Sequence, residues 1–321
     1  MRLGARLPVR SPVAACAAAL VSLLASQAGW RLQQPTRTGE PHLSTQISGA
    51  EKGTAVTVVT HLHRFAVKGL GRDSLQNVVL TPGSTMPYDR QWAIKFRDSE
   101  PAFDPVDPRW IHKSAFLCAF TAGSLLGGFA TSFDDATRKL RVASRADGER
   151  LLEARVDSFE GRTTLGNFFS NASGRAVDLV TSAAAPHQFG NTGSGVAASG
   201  DTRTLHIVNA NTVRALALAT GLNIDPGRFR ANLILDGALP AWAEFDWVGS
   251  TISIGGTLLR VIKRTVRCEG VSSDPWTSSA PVIDVPAALQ RHFPQHGPFL
   301  GVYAQVVTGG VVKVGDAVLA P

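Results

Sequence analysis

The chain has 321 residues, of which 44% are hydrophobic and 18% charged, a composition that excludes intrinsic disorder and a coiled coil. With 31 Gly, 18 Pro and many short Val, Ile and Leu runs, it favours β structure with many turns over a helical bundle. The net charge is +7, but residues 1–50 hold five Arg and one acid, so the rest of the chain is only about +3. A nucleic-acid-binding protein would carry its positive charge on the folded body, so we predict no nucleic-acid partner.

The first 50 residues are predicted to be a leader or targeting segment outside the fold. Residues 11–30 contain no charged side chain. Arg31 is the next charged residue, and Glu40 is the first acid. An organellar transit peptide, a membrane anchor and a secretory signal cleaved after Ala28 all fit this pattern. We expect a mitochondrion or plastid, into which the chain is imported or to whose membrane the apolar segment anchors it. A secretory or periplasmic signal peptide stays open as the alternative.

The three cysteines, Cys16, Cys118 and Cys268, are too few and too far apart for a disulfide framework or a zinc site. Free thiols and a large core favour an intracellular or organellar compartment over the extracellular space. Cys118 lies in an apolar run and is predicted to be a buried, inert thiol. Cys268 directly follows Arg267 at a predicted strand end, which makes it the candidate reactive thiol.

Residues 55–180 are predicted to form an N-terminal β-barrel-like domain. Runs of β-prone residues bounded by turn residues indicate strands at residues 55–67, 75–80, 89–96, 140–143 and 176–180. Short helices are expected at residues 125–133 and 163–171, the second ending near Gly174.

Residues 179–200 contain no Asp, Glu, Lys or Arg and are rich in Ala, Gly and Ser, which is typical of a linker. Residues 203–321 are predicted to form a second β domain, with strands at residues 204–208, 230–236, 250–254, 258–262, 302–307 and 311–314. Helices are expected from an N-cap at Asn211 to Gly221 and over residues 286–293. Gly255-Gly256 and Gly309-Gly310 predict hairpin turns. The fold class is therefore mainly β, with two barrel-like units and a few short helices.

A series of ordered motifs resembles one family of proteins. In the second half they are RFRAN at residues 228–232, WAEFDWVG at 242–249, ISIGG at 252–256, VRC at 266–268, SDP at 273–275, GVYA at 301–304 and VKVGD at 312–316. In this order and spacing they resemble the MOSC domain. VKGL at residues 67–70 and DRQW at 89–92 resemble the β-barrel domain that precedes it in two-part MOSC proteins such as the mitochondrial amidoxime-reducing component family.

The resemblance implies a molybdenum cofactor, molybdopterin, held between the two β units. Cys268 matches the molybdenum-ligating, catalytic cysteine of that family. The contacts to the pterin and phosphate are implied at Lys68, Arg90, Thr212, Arg230 and Asn232, with Arg267 beside the ligand. These residue types suit that chemistry, because thiolate is a soft ligand, an Arg fork fits phosphate, and an amide fits the pterin edge.

The chain departs from the family pattern at four places. Gly69 stands where the family often has Ser, and Ala231 stands where Pro is usual. Thr265-Val266 replaces a Cys-Ser pair, and Ser272-Ser273 stands in place of the Thr before the Asp-Pro. These departures concern the surroundings of the cofactor and the substrate preference more than cofactor binding itself.

The function implied by the resemblance is an oxidoreductase that reduces N-hydroxylated or related N-oxygenated small molecules at molybdenum. No glycine-rich dinucleotide motif or Walker motif occurs in the 321 residues, so electrons are expected from a separate donor protein. A non-catalytic cofactor carrier or sulfur-transfer protein, acting through Cys268, is the alternative. A MOSC fold that has lost the cofactor is a third interpretation, which the retained cations and thiol disfavour.

Other polar and aromatic residues have structural interpretations. His61 and His63 share a strand face and are predicted to be exposed, without a third ligand for a metal ion. The neighbouring Asp89 and Arg90 also fit a surface ion pair of little energetic weight. Trp242 and Trp247 are predicted to pack in the core or in loops.

Overall fold

The computed structural model describes residues 56–107, 109–181, 189, 196–197, 200–201, 203–279 and 283–321. The predicted leader and most of the predicted linker lie outside this part of the chain. The described elements belong to one unit, Thr54–Pro321, in which strands far outnumber helices. The predicted fold class, mainly β, is confirmed.

Eighteen strands and four α-helices follow one another along the described part of the chain. The strands are β1 (Val58–Arg64), β2 (Val67–Lys68), β3 (Asp73–Leu75), β4 (Asn77–Leu80), β5 (Trp92–Phe96), β6 (Phe129–Asp134), β7 (Lys139–Ser144), β8 (Arg150–Arg155), β9 (Val177–Thr181), β10 (Val196–Ala197), β11 (Gly200–Asp201), β12 (Leu205–Asn209), β13 (Leu233–Asp236), β14 (Thr251–Ile254), β15 (Thr257–Val266), β16 (Phe299–Thr308), β17 (Gly310–Lys313) and β18 (Val318–Leu319). The described α-helices are α1 (Ala119–Gly127), α2 (Phe159–Ser173), α3 (Ala210–Thr220) and α4 (Val285–His292). None of them is long and apolar enough to cross a membrane.

An eight-stranded sheet, ordered β18-β14-β15-β16-β12-β13-β1-β3, forms the main layer. Neighbouring strands within this sheet are antiparallel, except for β12 and β13. These two run parallel because helix α3 provides the crossover between them. β1 pairs with β13, with Leu62 opposite Leu233. A strand of the predicted N-terminal domain thus extends the sheet of the C-terminal strands, while the predicted domain boundaries themselves stay a prediction. The sheet packs with α3 and α4 in a core that contains Ile207, Val213 and Leu289.

The predicted Gly255-Gly256 hairpin turn and the predicted end of helix α3 are both confirmed. Gly255 and Gly256 join β14 to β15 with φ angles of 56° and 81°, the left-handed conformation that a two-residue hairpin turn requires. Helix α3 ends at Gly221, as predicted, with φ of 68°. Its N-cap is Asn209 rather than Asn211, because the Asn209 side chain accepts the hydrogen bond from the backbone N–H of Asn211.

The predicted hairpin between the last two long strands is wrong. β17 leaves β16 and pairs with β4, with Val312 opposite Val78. At Gly309, a Cβ atom would lie 2.6 Å from the carbonyl oxygen of Leu80. Only glycine lets the chain pass so close to β4, and this approach directs β17 away from its neighbour in sequence.

The smaller sheets β2-β5-β9 and β6-β7-β8 pack with α1 and α2 around a second core, which contains Trp92, Phe133 and Phe169. The predicted helix at residues 125–133 is only partly right, since α1 ends at Gly127 and β6 begins at Phe129. A short apolar run fits a buried helix or a strand equally well, so its pattern could not separate the two. Helix α2 is confirmed and is ended by Gly174, whose φ is 69°.

Candidate functional site

A cleft lies where the predicted N-terminal and C-terminal regions meet. Its walls come from the segments after β2 and β15, the segments before β5 and β13, the start of α1, the beginning of β12, and β16. It brings together six of the seven predicted site residues: Lys68, Arg90, Arg230, Asn232, Arg267 and Cys268. Residues more than 130 positions apart in sequence therefore line one site.

Five cationic side chains line the cleft: Lys68, Arg90, Lys113, Arg230 and Arg267. Among the described lining residues, Asp89 is the only carboxylate that opposes them. A concave surface with such an excess of one charge has a strongly positive potential. The cleft is therefore suited to an anionic ligand.

Arg90 and Arg230 form a rigid pair at the centre of this positive surface. Both have left-handed backbones, with φ of 52° and 55°. Arg90 Nη2 donates to the carbonyl oxygen of Arg230 at 3.1 Å, and Arg230 Nη1 donates to that of Leu70 at 2.7 Å. Both guanidinium groups lie over the buried Phe65 ring, at 5.0 and 4.2 Å from its centre. The two cations are held in place before any ligand arrives.

Asp89 and Arg90 are not the surface ion pair that the sequence suggested. Their side chains are 3% and 15% exposed, and Arg90 Nη1 donates to Asp89 Oδ2. The other oxygen, Oδ1, accepts the backbone N–H of Phe65 at 2.8 Å. The pair is buried because the turn before β5 folds back against the end of β1, and it orients Arg90 toward Arg230.

The crowding of cations changes their acid–base properties. Burial, together with Arg90, lowers the pKa of Arg230 to about 9. Burial also lowers the pKa of Lys68 to about 8, with Arg90 and Arg230 acting in the same direction. Desolvated cations close to one another are unfavourable unless an anion joins them. A bound anion would remove this penalty.

Three buried polar atoms on the cleft wall have no hydrogen-bond partner among the described residues: Arg230 Nη2, Arg267 Nε and Thr204 Oγ1. Leaving a buried donor unpaired costs about 1–3 kcal/mol. Native proteins rarely tolerate several such atoms together without a reason. Here they border one cleft, which is the arrangement expected for groups that pair with a ligand.

Cys268 lies directly after β15 and is partly buried. Burial by itself would raise the pKa of its thiol, but hydrogen bonds from the Gly270 backbone N–H and from Lys113, together with Arg267, outweigh burial and lower that pKa. The thiolate, which is both the nucleophile and the metal-binding form, is thereby favoured.

Cys118 is buried, as predicted, but it also lines the cleft. The departure from the family pattern at Gly69 is related to this thiol. Gly69 has φ of 89°, and a Cβ atom there would lie 2.6 Å from the Cα atom of Cys118. A serine at this position would collide with the Cys118 backbone, so the glycine is needed for the close packing of these two segments.

Two predicted cofactor contacts are engaged in other interactions. The Asn232 amide lines the cleft, but its Nδ2 donates to the carbonyl oxygen of His63 at 3.2 Å and its Oδ1 accepts from the His206 backbone at 3.0 Å. Thr212 does not line the cleft, since its Oγ1 donates to Glu244 at 2.9 Å and accepts from the Trp242 backbone at 2.8 Å. The structure therefore places Thr212 in a separate buried cluster.

The residues given structural interpretations also have definite places. His61 is exposed, but the prediction of an exposed His63 is wrong, because its ring packs beside His61 and Phe65 and burial lowers its pKa to about 3. In the described part of the chain, no three His, Cys, Asp or Glu residues cluster closely enough to hold a metal ion. Trp242 and Trp247 belong to the main core, as predicted.

Lys113, His206 and Tyr303 also line the cleft, although no sequence motif predicted them. Burial, with Arg267 and Arg90, lowers the pKa of His206 well below its usual value, so the imidazole is neutral. Its Nε2 lies 3.4 Å from Arg267 Nη1, and its ring lies 5.2 Å from that of Tyr303. His206 and Tyr303 sit opposite each other on β12 and β16, a pairing that only the sheet register reveals.

Comparisons with known proteins identify the C-terminal part of the chain. Residues 194–319 match the family model of the MOSC domain. Among solved structures, YiiM from Geobacillus stearothermophilus is similar with 19% identity and a TM-score of 0.29, over 36% of this chain and 53% of that one. The YuaD protein from Bacillus subtilis is similar with 12% identity and a TM-score of 0.35, over 83% of this chain and 96% of that one. No curated protein matches the chain. The chain matches only about half the length of YiiM.

Residues 194–319 are thus a MOSC domain, and the match includes Arg230, Arg267 and Cys268. Lys68, Arg90, Lys113 and Cys118 precede it, so part of the cleft wall comes from outside the matched region.

Proposed function

We propose that the cleft binds a molybdopterin-type molybdenum cofactor and that the protein is an oxidoreductase of the amidoxime-reducing type, acting on N-hydroxylated or related N-oxygenated small molecules. One observation carries the proposal. Five cations, a thiol with a lowered pKa and three unpaired buried polar atoms share a single cleft.

The chemistry of these groups fits the parts of such a cofactor. Its phosphate would pair with Arg230, Arg90 and Lys68, since guanidinium forks and ammonium groups are the usual partners of phosphate. The unpaired atoms Arg267 Nε and Thr204 Oγ1 offer hydrogen bonds to polar edges of a pterin. The Cys268 thiolate would supply the soft protein ligand to the metal.

When bound, the cofactor would supply two-electron redox chemistry. The chain's own residues would bind and orient it and would handle protons. Without an anion beside it Lys68 has a pKa of about 8, and a bound phosphate would raise that pKa and hold the proton on Nζ. Neutral His206 adds no further positive charge beside Arg267.

Partners and location extend the same proposal. Because the sequence lacks a dinucleotide-binding motif, a separate electron-donor protein would reduce the molybdenum. The Arg-bearing, acid-poor first 39 residues support organellar import or anchoring. Recovery of the tagged full chain from the culture medium, processed after Ala28, would contradict this location.

A cofactor carrier or sulfur-transfer protein is the second candidate. The observation that favours it is Cys268 itself, since a partly exposed thiol with a lowered pKa is also what sulfur transfer through a persulfide requires. Both functions need the cleft, but only the oxidoreductase would reduce an N-hydroxylated compound.

The decisive experiment measures molybdenum and turnover on the same purified full chain, produced in cells that make molybdopterin. We expect stoichiometric molybdenum and reduction of a simple N-hydroxylated compound with an artificial electron donor. Molybdenum without turnover would support the cofactor carrier. A folded protein without molybdenum would contradict both the oxidoreductase and the cofactor carrier and would leave sulfur transfer through Cys268.

A further inference from the structure

We propose that the mouth of the cleft selects substrates that combine a flat aromatic body with a carboxylate, and that Phe120 and Lys113 bind these two groups. The mouth is the solvent-accessible wall formed by Lys113, Phe120, Val266 and Cys268. The inference rests on the proposed function, because that function places the reaction at Cys268. It adds the class of compound that fits beside this residue.

The cleft has a buried end and an open end. At the buried end, Asn232 is only 1% exposed, and Lys68 and His206 are also buried. At the mouth, Val266 is 44% exposed and Cys268 is partly exposed. A small molecule that approaches Cys268 from the solvent therefore meets the mouth residues and not those of the buried end.

Phe120 lies beside the segment that carries Cys268. It is the second residue of α1 and forms part of the cleft wall. A Cβ atom on Gly270, two residues after Cys268, would lie 3.5 to 3.6 Å from the N, Cα and Cβ atoms of Phe120. Ser273 Oγ also donates to the carbonyl oxygen of Ala119 at 3.3 Å. The start of α1 is thus fixed against the loop that follows β15.

Phe120 is the inner member of a row of three aromatic rings. The centre of the His112 ring lies 6.4 Å from that of Phe120, with the two planes perpendicular, and 5.9 Å from that of Trp110. The His112 ring is held in place because its Nδ1 accepts the backbone N–H of Ser114 at 3.3 Å. Trp110, the outer member, is 43% exposed. Since aromatic rings attract one another in edge and offset contacts, the row offers a flat aromatic compound a surface that leads to the mouth.

Lys113 supplies the charge at this surface. Its Nζ lies 4.1 Å from the centre of the Phe120 ring. The only carboxylate among the described lining residues, Asp89, is already paired with Arg90. The hydrogen bond from Lys113 to the Cys268 thiol occupies one of the three N–H donors of the ammonium group. The other donors can bind the carboxylate of a ligand, and such charge-assisted hydrogen bonds are about twice as strong as neutral ones.

The position of the cation on the aromatic ring explains why the two groups are selected together. Lys113 covers one face of the Phe120 ring, so a substrate ring packs on the ring edge while its carboxylate reaches the ammonium group. A neutral aromatic compound makes only the first contact, and an acid without a ring makes only the second. A compound that carries both groups gains both contacts in one pose.

The test compares 4-carboxybenzamidoxime with its uncharged methyl ester. Isothermal titration calorimetry measures the binding of each compound to the purified full chain, and molybdenum is measured on the same sample. We expect the acid to bind about 5-fold more tightly than the ester, since a partly exposed charge pair contributes roughly this factor. Where molybdenum is present, kcat/KM should show the same preference. A sample without molybdenum would contradict the proposed function, whereas the calorimetric ratio would still test the selection.

The charge is tested by Lys113→Gln, which should lose most of the preference for the acid, and by Lys113→Arg, which should keep it. Lys263→Gln is the matched control, since Lys263 is exposed on β15 and does not line the cleft. It should bind both compounds like the wild type. An unchanged preference in Lys113→Gln would place the carboxylate elsewhere in the cleft and overturn the proposal.

The aromatic contact is tested by Phe120→Leu. This variant should weaken the binding of acid and ester by the same factor, roughly 3-fold or more, so that the ratio between them is kept. Phe159→Leu, at a position on α2 that is 74% exposed, should change neither affinity. The proposal is overturned if Phe120→Leu binds both compounds like the wild type, or if the wild type binds acid and ester equally.

Discussion

Two of the groups of buried polar side chains in the described part of the molecule differ in how completely they are paired. Around Glu244, the carboxylate accepts from Asn209 Nδ2 at 3.0 Å and from Thr212 Oγ1 at 2.9 Å. Thr212 also accepts the backbone N–H of Trp242, and Asn209 Nδ2 also donates to the Pro240 carbonyl oxygen. In the cleft, by contrast, Arg230 and Arg267 each keep an unpaired nitrogen.

Pairing distinguishes these two groups, whereas burial and residue type do not. Both groups contain buried polar residues on β12, and both contain residues implied as cofactor contacts by resemblance. Buried donors and acceptors are paired in native proteins with few exceptions. The Glu244 cluster is complete within the chain and therefore stabilises the fold. The cleft leaves buried donors unpaired within the chain, and the proposed function would pair them with a ligand.

The largest expected effect is that of Cys268→Ser. A hydroxyl is a harder and far less ionised ligand than a thiol, so the metal's electronic properties change while the cations still hold the phosphate. Because loss of a group that merely orients a metal ligand already costs about 10–100-fold, we expect a loss of at least roughly 100-fold in reductase activity. X-ray absorption should show the loss of one sulfur ligand from molybdenum.

The matched control is Cys16→Ser, which makes the same chemical change in the predicted leader and should keep wild-type activity. If the Cys268→Ser protein turns over like the wild type, the thiol is not the metal ligand and the mechanism is wrong.

The next effect is on cofactor retention in Arg230→Lys. Lysine keeps the charge but loses the planar fork and the unpaired Nη2 atom. Because a hydrogen bond to a charged group is worth about 1.5–3 kcal/mol, retention of molybdenum should weaken by roughly 10–100-fold in affinity. Molybdenum content after extended dialysis measures this loss, and the melting temperature of the metal-free protein should change little.

Arg260→Lys provides the comparison for this variant, since Arg260 is exposed on β15 and does not line the cleft. Equal molybdenum content in Arg230→Lys, Arg230→Ala and Arg260→Lys would show that Arg230 is structural.

The cleft also shows how far the sequence could predict the site. The Lys68, Arg90, Arg230 and Cys268 positions could be proposed because each lies in a local motif. Lys113 could not, because it lies outside the family motifs and approaches Cys268 only through tertiary packing. The fold shows the same limit. The Gly255-Gly256 hairpin is local and was predictable, whereas β17 pairs with β4 across more than 200 residues, and no local pattern distinguishes that partner from β16.

A smaller effect, on stability alone, is expected for Thr212→Val. Valine has nearly the same shape but cannot donate to Glu244 or accept from the Trp242 backbone. Each buried group left unpaired costs about 1–3 kcal/mol, so the free energy of unfolding in urea should fall by an amount in or above that range. Molybdenum per folded chain should stay unchanged. Thr163→Val, on the exposed face of α2, should affect neither quantity. A loss of molybdenum from stable Thr212→Val protein would return Thr212 to the cofactor site.

A last effect, of similar size, concerns the pH dependence of that stability. Burial raises the pKa of Glu244 from 4.5 to about 7, against the hydrogen bonds from Asn209 and Thr212. Between these two values the folded state holds a proton that the unfolded state has lost, so raising the pH favours unfolding. Stability from this residue is fully present below about pH 4.5 and should decline by roughly 3 kcal/mol by the time the pH passes 7. Glu244→Gln, which cannot ionise, should lose this decline when urea unfolding is compared at the two ends of the range. Glu149→Gln, at an exposed position, should retain it. Equal slopes in the wild type and Glu244→Gln would mean that Glu244 is already ionised in the folded state, and that its paired hydrogen bonds hold a charge rather than a proton.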